Sequence, residues 1–231
     1  MIRNYVYDIQ NEFIDKLQRK EFVKDKTGVV TIEIINASFI ADEPSIFGTI
    51  NEEYIEREKA WYRSMSLNVN DIPGGPPQIW QQVADKDGFI NSNYGWCIYS
   101  EENGNQFTKV VDELLASPLS RRATMIYNRP SMHEDYNKNG MSDFMCTYST
   151  QYYIREGQLH ASVFMRSNDA VYGYKNDYAW QHYVHKEVLQ AVNGRCGTVY
   201  GLGDLHWNAG SLHVYERHFD LVQEWIDEQY V

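Results

Sequence analysis

Apolar residues recur every three or four positions in four stretches of the chain, the period of a helix with one buried face. In the first stretch Val6, Ile9 and Phe13 share such a face. Asn51 precedes the second stretch and is followed by two glutamates, which makes it a suitable N-cap. The predicted helices cover residues 5–20, 51–65, 177–192 and 218–228.

Runs rich in β-branched and aromatic residues predict the strands. A turn at Glu156-Gly157 divides one long run into two strands, and we expect a second such pair near the end of the chain. The predicted strand regions are residues 29–40, 122–129, 147–167 (two strands) and 198–215 (two strands).

The connecting segments do not divide the chain into modules. Residues 73–77 contain three prolines and two glycines, which favour a loop because neither residue sustains a regular element there. Long strands interrupted by separate helices indicate an α+β fold with a mixed sheet rather than regular βαβ alternation. A chain of 231 residues has the length of one domain with an ample core. We therefore expect a single α+β domain over residues 1–231.

The composition excludes several classes of protein. With 43% hydrophobic and 14% aromatic residues, the chain can bury a core and is not disordered. Its net charge of −11 argues against general affinity for nucleic acid or an anionic membrane, since both need a basic surface. The sequence has neither a signal-peptide pattern nor an apolar run approaching 18 residues, so we expect a cytoplasmic protein.

The three cysteines, Cys97, Cys146 and Cys196, lie far apart and form no CxxC pair, which excludes a disulfide framework or a zinc ribbon. The histidines form no HExxH motif, and we expect no metal. Cys146 stands where a loop is predicted to enter a strand. It is a candidate nucleophile if neighbouring cations lower its thiol pKa, and otherwise a buried structural thiol, the commoner role of a free cysteine.

Two basic clusters provide candidate phosphate ligands. They are Ser120-Arg121-Arg122 and Arg166-Ser167-Asn168-Asp169. Arginine offers a fork of donors that suits phosphate, and serine adds a hydroxyl. Either cluster taken alone is more simply explained by surface salt bridges. Together with a cysteine they make a site for phosphate and thiolate worth testing.

One carboxylate falls on the apolar face of a predicted helix. Glu58 lies one turn after Tyr54 and one turn before Trp61-Tyr62. A carboxylate in such a place is either paired with an arginine, here Arg57 or Arg63, or is functional with a raised pKa. The sequence leaves both interpretations open.

The order and spacing of these residues resemble the thymidylate synthase superfamily, and the resemblance spans most of the chain. Within it, the chain is similar to the phage deoxycytidylate hydroxymethylases, for example between Gly140 and Cys146. The residues and motifs that carry the resemblance are Cys146, Gln151-Tyr-Tyr153, Ser120-Arg121-Arg122, Arg166-Ser167-Asn168-Asp169, His213-Val-Tyr215, Glu58, Ile79-Trp80 and Asn93-Tyr94-Gly95.

The resemblance implies one-carbon transfer from 5,10-methylenetetrahydrofolate, as co-substrate, to a pyrimidine nucleoside monophosphate. Cys146 would add to C6 of the base and so turn C5 into a carbon nucleophile. Arg166 and Ser167 would bind the phosphate, joined by Arg121 and Arg122 from the partner subunit of an obligate homodimer. The implied partners are the nucleotide, the folate and a second copy of the chain, with no direct nucleic acid and no membrane. If phage-encoded, the protein would act in the host cytoplasm.

Other positions carry implied roles as well. Lys26 stands where the synthases usually have arginine, so it supplies charge without a bidentate fork. His213 and Tyr215 would hold the sugar hydroxyl. The remaining implied contacts are Gln151, Asn168 and Asp169 with the nucleotide, Asp169 lying toward the folate and the base, and Trp80 and Tyr94 as pocket walls.

The sequence departs from the synthases at the residue that reads the base. Where they have an asparagine complementary to uracil, Asp177 is aligned, and a carboxyl group can accept from the cytosine amine and share a proton with N3. Alternatively, Asp177 is a helix N-cap, or Asn176 is either that cap or the aligned reader. The favoured interpretation is hydroxymethyl transfer to deoxycytidylate. The alternatives are a thymidylate synthase or deoxyuridylate hydroxymethylase, and a non-catalytic nucleotide-binding homologue.

Hydroxymethylation requires water in the step where a synthase delivers hydride. We expect Glu58 to direct that water. The segment from Ile226 to Val231 is short, and such a tail would leave water room to enter.

Overall fold

A mixed sheet forms the centre of the molecule, as the β-branched runs predict. The computed structural model describes the backbone of residues 3–229 and the side chains of residues 3–226. The expected short tail falls mainly on residues 227–231 and so lies outside the described side chains. The strands are β1 (Val23–Lys24), β2 (Val30–Ile40), β3 (Thr124–Ile126), β4 (Thr147–Arg155), β5 (Gln158–Met165), β6 (Asn168–Asp169) and β7 (Gly201–Tyr215).

The order of strands across the sheet is β1-β2-β7-β5-β4-β3, with β6 also paired to β7. β7 is parallel to β5 and β6, and the other neighbours are antiparallel. The hairpin β4–β5 turns at Glu156-Gly157, as predicted, with both residues at positive φ. The expected α+β fold with a mixed sheet is confirmed.

The helices pack mainly against one face of this sheet. The first two helices begin and end within two residues of their predicted bounds. The Asn51 side chain accepts a hydrogen bond from the Tyr54 amide, which confirms the predicted cap. The helices are α1 (Val6–Gln18), α2 (Glu52–Ser64), α3 (Gln78–Val83), α4 (Tyr94–Tyr99), α5 (Gln106–Ala116), α6 (Met132–Asp135), α7 (Gly173–Asn193) and α8 (Phe219–Gln229).

The predicted strand pair at residues 198–215 is wrong, because β7 is one strand of 15 residues. It pairs with β2 from Tyr215 opposite Thr31 to His206 opposite Ile40, so no turn interrupts it. A Cβ at Gly210 would lie 2.9 Å from the Arg166 carbonyl oxygen. This glycine therefore permits close strand packing rather than a turn.

α7 begins four residues earlier than predicted, at Gly173. Asn176 and Asp177 therefore lie inside the helix, and the interpretation of either residue as an N-cap is wrong. A glycine is a poor helix former, so the pattern gave no reason to begin the helix there. A Cβ at position 173 would come within 3.1 Å of the Asn168 amide nitrogen, which accounts for the glycine by packing.

α2 and α4 approach each other at backbone distance. A Cβ on Gly95 would lie 1.8 Å from the Tyr62 carbonyl oxygen, so only glycine allows this crossing. The rings of Tyr62 and Tyr94 stack beside it with centroids 5.3 Å apart. Both helices line the cavity described below.

The other face of the sheet carries no helix in the part of the chain that the structure describes. We call it the outer sheet face and define it by Ile35, Ile126, Tyr153, Ser162 and Phe164. Ile35 is 69% exposed and Ile126 is 58% exposed, although both are apolar. Among the described residues, no helix is long and apolar enough to cross a membrane.

Candidate active site

A cavity of about 1470 Å³ opens between the sheet, α2, α7 and the loops before β4. This volume exceeds the 300–1,000 Å³ or so of ordinary small-molecule pockets, so two ligands can share it. The predicted site residues that line it are Lys26, Glu58, Trp80, Tyr94, Cys146, Arg166, Asp169, Asp177 and Tyr215.

Cys146 immediately precedes β4, and its sulfur faces the cavity next to a cation. Sγ lies 3.4 Å from Nη2 of Arg166. Burial raises the pKa of the thiol to about 11, although the Arg166 charge lowers it. The predicted cation is therefore present, but burial outweighs it, and the thiol of the unliganded protein is protonated at neutral pH. Arg166 is placed to stabilise a thiolate when one forms.

Two backbone carbonyls fix the direction of Arg166. Its Nε donates to the Met145 oxygen at 3.1 Å, and Nη2 donates to the Phe144 oxygen at 2.8 Å. The guanidinium also lies over the Phe144 ring, 5.1 Å from its centroid. These contacts orient the cation toward the sulfur and the cavity.

Asp143 anchors the loop that presents the cysteine. Its carboxylate accepts from the backbone amides of Asn91 and Ser92 at 2.7 and 2.8 Å, and from the Ser92 hydroxyl at 2.7 Å. The bonds tie the segment before Cys146 to the segment that leads into α4. Two walls of the cavity are thereby joined.

Glu58 is buried on the cavity side of α2, on the face predicted from the sequence. Its Oε1 accepts from the Tyr54 hydroxyl at 2.5 Å and from the Trp80 indole at 3.0 Å. Burial raises the pKa of Glu58, and these two donors lower it. Pairing with Arg57 or Arg63 is wrong, because the Arg57 guanidinium donates to the carbonyls of Pro73 and Gly75 and that of Arg63 lies over the Tyr183 ring.

Asp177 lies on the cavity side of α7 with its carboxyl group held by Asn168. The Asn168 amide donates to Oδ2 at 2.8 Å. Burial, reinforced by the charge of Glu58, raises the pKa of Asp177 to about 8, while Asn168 and Tyr94 lower it. Asp177 is therefore mostly protonated at pH 7 and can donate as well as accept a hydrogen bond.

The family model described as thymidylate synthase matches residues 11–230 of the chain. The protein belongs to the thymidylate synthase family. This confirms the resemblance on which the site residues were predicted.

Relatives within this family cover most of the chain. It is 59% identical over 210 residues to the deoxycytidylate 5-hydroxymethyltransferase of Enterobacteria phage T4. The matched residues cover 90% of this chain and 85% of the relative. It is 33% identical over 172 residues to a thymidylate synthase of Bacillus subtilis subsp. natto, covering 71% and 57% of the two chains. The solved thermostable thymidylate synthase A from Bacillus subtilis has 24% identity and a TM-score of 0.71, covering 97% and 84%. That likeness shows the fold.

Several residues expected from the thymidylate synthase resemblance do not line the cavity of their own chain. Arg121 and Arg122 are exposed, and Arg122 pairs with Glu113 at 3.0 Å. Gln151 donates to the Arg121 carbonyl at 2.8 Å from the outer sheet face. Three further residues are sequence neighbours of lining residues but do not line the cavity themselves. Ser167 follows Arg166, Asn168 precedes Asp169, and His213 lies two residues before Tyr215.

Lys175 and Arg217 are cations of the cavity that the family pattern did not bring out. Lys175 is 6% exposed, and its ammonium donates to the Thr49 carbonyl at 2.8 Å. Arg217 lies over the Tyr215 ring, 4.2 Å from the centroid. The position of Lys175 two residues before Asp177 was the available signal, but the late predicted start of α7 obscured it.

A group of possible metal ligands lies away from the cavity, beside the outer sheet face. His160, Asp204 and His206 place one ligand atom each within 4.8 Å of the others. Asp204 is already paired with Arg3 at 3.2 Å, and its backbone amide donates to Nδ1 of His160 at 3.0 Å. These contacts occupy part of the group, which lies outside the cavity that holds Cys146.

Proposed function

We propose that the protein is a deoxycytidylate 5-hydroxymethyltransferase, which forms 5-hydroxymethyl-deoxycytidylate by one-carbon transfer to C5 and hydration. The observation that carries the proposal is the carboxyl group of Asp177, held by Asn168 in the same cavity as Cys146. The 59% identity to phage enzymes of that name supports it.

Asp177 accounts for the choice of cytosine over uracil. Cytosine presents an acceptor at N3 and an amine donor at C4, whereas uracil presents a donor and an acceptor. Oδ2 of Asp177 accepts from Asn168, which favours the proton on Oδ1. The protonated oxygen would donate to N3, and Oδ2 would accept from the amine. Donation to N3 also makes the ring a better electron acceptor for attack at C6.

Cys146 would act as the nucleophile on the base. Its sulfur forms a bond to C6, and the electron pair of the C5–C6 double bond moves into the ring, so that C5 becomes nucleophilic. Arg166 stabilises the thiolate before attack, since it lies 3.4 Å from the sulfur. The lining cations Lys26, Arg166 and Arg217 provide the positive charge that a phosphate requires in an acidic protein.

As co-substrate, 5,10-methylenetetrahydrofolate would supply the one-carbon unit. The cavity is large enough for a second ligand and has apolar walls at Ile79, Trp80 and Leu221. These walls suit a planar aromatic ligand. No step of the proposal requires a metal.

Glu58 would direct the hydration that distinguishes this reaction from methylation. After C5 has bonded to the one-carbon unit, loss of the C5 proton and cleavage of the bond from that carbon to the folate nitrogen leave an exocyclic methylene at C5 and release tetrahydrofolate. A water oxygen forms a bond to that methylene carbon, the water proton passes to the Glu58 carboxylate, and the displaced electron pair returns to the ring. Expulsion of the Cys146 thiolate from C6 then restores the C5–C6 double bond. No hydride is transferred, and the reduced folate leaves unoxidised.

A homodimer would complete the site. The outer sheet face exposes apolar side chains that no element within residues 3–229 covers, and such patches are unusual on a monomer. Arg121 and Arg122 lie beside this face, linked to it through Gln151. A second copy packed there would receive these arginines at its phosphate, in a symmetric exchange. The protein would act in the cytoplasm, which is that of the host cell if the protein is phage-encoded.

One reaction tests the proposal. Deoxycytidylate, deoxyuridylate and cytidylate are offered together with methylenetetrahydrofolate in oxygen-18 water, and the products are analysed by mass spectrometry. The expected product is 5-hydroxymethyl-deoxycytidylate with one heavy oxygen, without the absorbance change of dihydrofolate formation. A methylated product with dihydrofolate would instead indicate a thymidylate synthase. Binding without any product would indicate a non-catalytic homologue.

A further inference from the structure

We propose that Tyr54 is a positioning residue for the hydration step, which holds one oxygen of Glu58 so that the other directs the water. The inference rests on the proposed function, because it assigns the water to Glu58. It adds a residue to which the family pattern gave no role.

Tyr54, Glu58 and Trp80 form a closed set of hydrogen bonds. The Tyr54 hydroxyl donates to Oε1 of Glu58 at 2.5 Å. The Trp80 indole lies 3.0 Å from both that oxygen and the Tyr54 hydroxyl, and it donates toward both. The two donors come from different helices, α2 and α3, so they fix the carboxylate in direction as well as in place.

The arrangement satisfies one oxygen of the carboxylate and leaves the second available. Both donors reach Oε1, and no hydrogen bond within residues 3–226 reaches Oε2. Glu58 lines the cavity, so Oε2 is the atom at which a water can be held and deprotonated.

The donors are neutral, which suits a general base. An arginine paired with Glu58 would lower its pKa strongly and weaken it as a base. The neighbouring Arg57 is instead committed to the loop carbonyls of Pro73 and Gly75. Burial also raises the pKa of Tyr54, so its hydroxyl remains a donor across the working range of pH. Tyr54 therefore orients Glu58 without cancelling its basicity.

The test compares the wild-type protein with Tyr54→Phe and with Tyr99→Phe as a matched control. Tyr99 is also partly buried, but it does not line the cavity. In Tyr54→Phe we expect kcat for 5-hydroxymethyl-deoxycytidylate to fall by about 10- to 100-fold, because the base is less well aligned. KM for deoxycytidylate should change by less than about threefold, since the residues that we assign to nucleotide binding are unchanged. Tyr99→Phe should retain wild-type kcat.

A pH profile separates positioning from a merely structural role. Tyr54 lowers the pKa of Glu58, so its loss should move the acidic limb of the kcat profile to higher pH. Trp80→Phe removes the other donor to the same oxygen and should move the limb in the same direction, which keeps the test valid if Tyr54→Phe folds poorly. Exchange of the C5 hydrogen with deuterated solvent, without folate, reports whether addition of Cys146 survives.

The outcomes are distinct. Lower kcat with a shifted acidic limb and retained C5 exchange supports the inference. Unchanged kcat and limb in both variants overturns it, as does parallel loss of C5 exchange, nucleotide binding and kcat. If the wild-type protein makes no hydroxymethylated product, the proposed function itself has failed, before any variant is measured.

Discussion

Asn168 donates to Asp177 across 2.8 Å, and its own orientation is fixed from the other side. The Trp207 indole donates to the Asn168 carbonyl oxygen at 3.2 Å. An indole can only donate, so the amide nitrogen of Asn168 must face Asp177. A chain of donors thus runs from the central strand β7 to the carboxyl group that we assign to the base.

Asp177→Asn should move substrate preference from deoxycytidylate toward deoxyuridylate. An amide oriented to donate would oppose the cytosine amine, and an unsatisfied buried polar group costs about 1–3 kcal/mol. The ratio of kcat/KM values for the two nucleotides should therefore change by about 10- to 100-fold. An unchanged ratio would remove Asp177 as the base reader.

The same substitution should affect stability in a pH-dependent way. The pKa of Asp177 is raised to about 8 in the folded protein, from its ordinary value of 3.8. The folded state therefore holds this proton more tightly than the unfolded chain, and the carboxyl group progressively destabilises the fold as pH rises from about 4 to about 8. Asparagine does not titrate.

We accordingly expect the Tm of Asp177→Asn, relative to wild type, to be higher at pH 8.5 than at pH 5. A difference of about 1 kcal/mol corresponds to about 2–4 °C for a protein of this size. Differential scanning calorimetry at the two pH values measures it. Parallel changes in the two proteins would show that Asp177 titrates normally.

Cys146→Ser should abolish turnover while leaving nucleotide affinity largely intact. The hydroxyl is a far weaker nucleophile near neutral pH, so we expect kcat to fall by at least about 1,000-fold. The cations and Asp177 do not depend on sulfur, and titration calorimetry with deoxycytidylate should give a similar Kd. Comparable turnover in the serine variant would rule out the thiolate mechanism.

Mixed dimers test whether the active sites are shared. Arg122→Ala removes a surface ion pair with Glu113, which contributes little to stability because Arg122 is 82% exposed. The second variant is Cys146→Ser. Each variant alone should be inactive, because Arg122→Ala loses phosphate binding and Cys146→Ser loses the nucleophile. Co-expression should restore activity, since one site in each mixed dimer has both intact groups. Inactive mixed dimers would contradict donation of the arginines across the interface.

Local pattern was enough to predict β2, the β4–β5 hairpin and α2 with its Asn51 cap, because the apolar period and turn residues agree there. It failed at β7, where Gly210 serves a close approach to Arg166 that only tertiary structure reveals. It failed again at the start of α7, where Gly173 packs against Asn168. Glycine signals either a turn or a close contact, and sequence does not distinguish them.

The candidate site shows a similar limit. Placement of Glu58 on the face of Tyr54 follows from helical spacing, but the Trp80 indole reaches it from another helix. The basic neighbour of Cys146 was also predicted. The net rise in the pKa of the thiol was not predicted, because desolvation depends on everything packed around the sulfur. Charges can be counted along a chain, whereas burial cannot.

The glycine contact between α2 and α4 determines how the cavity can respond to its ligands. Glu58 stands on one of these helices and Tyr94 on the other, and at Gly95 the two meet through main-chain atoms. Main-chain atoms in contact cannot adjust by changing side-chain rotamers. The distance between these two walls is therefore fixed, and the nucleotide must fit it. Adjustment to a second ligand then falls to other lining segments, including the turn that carries Lys26 and the Pro76-Pro77 loop.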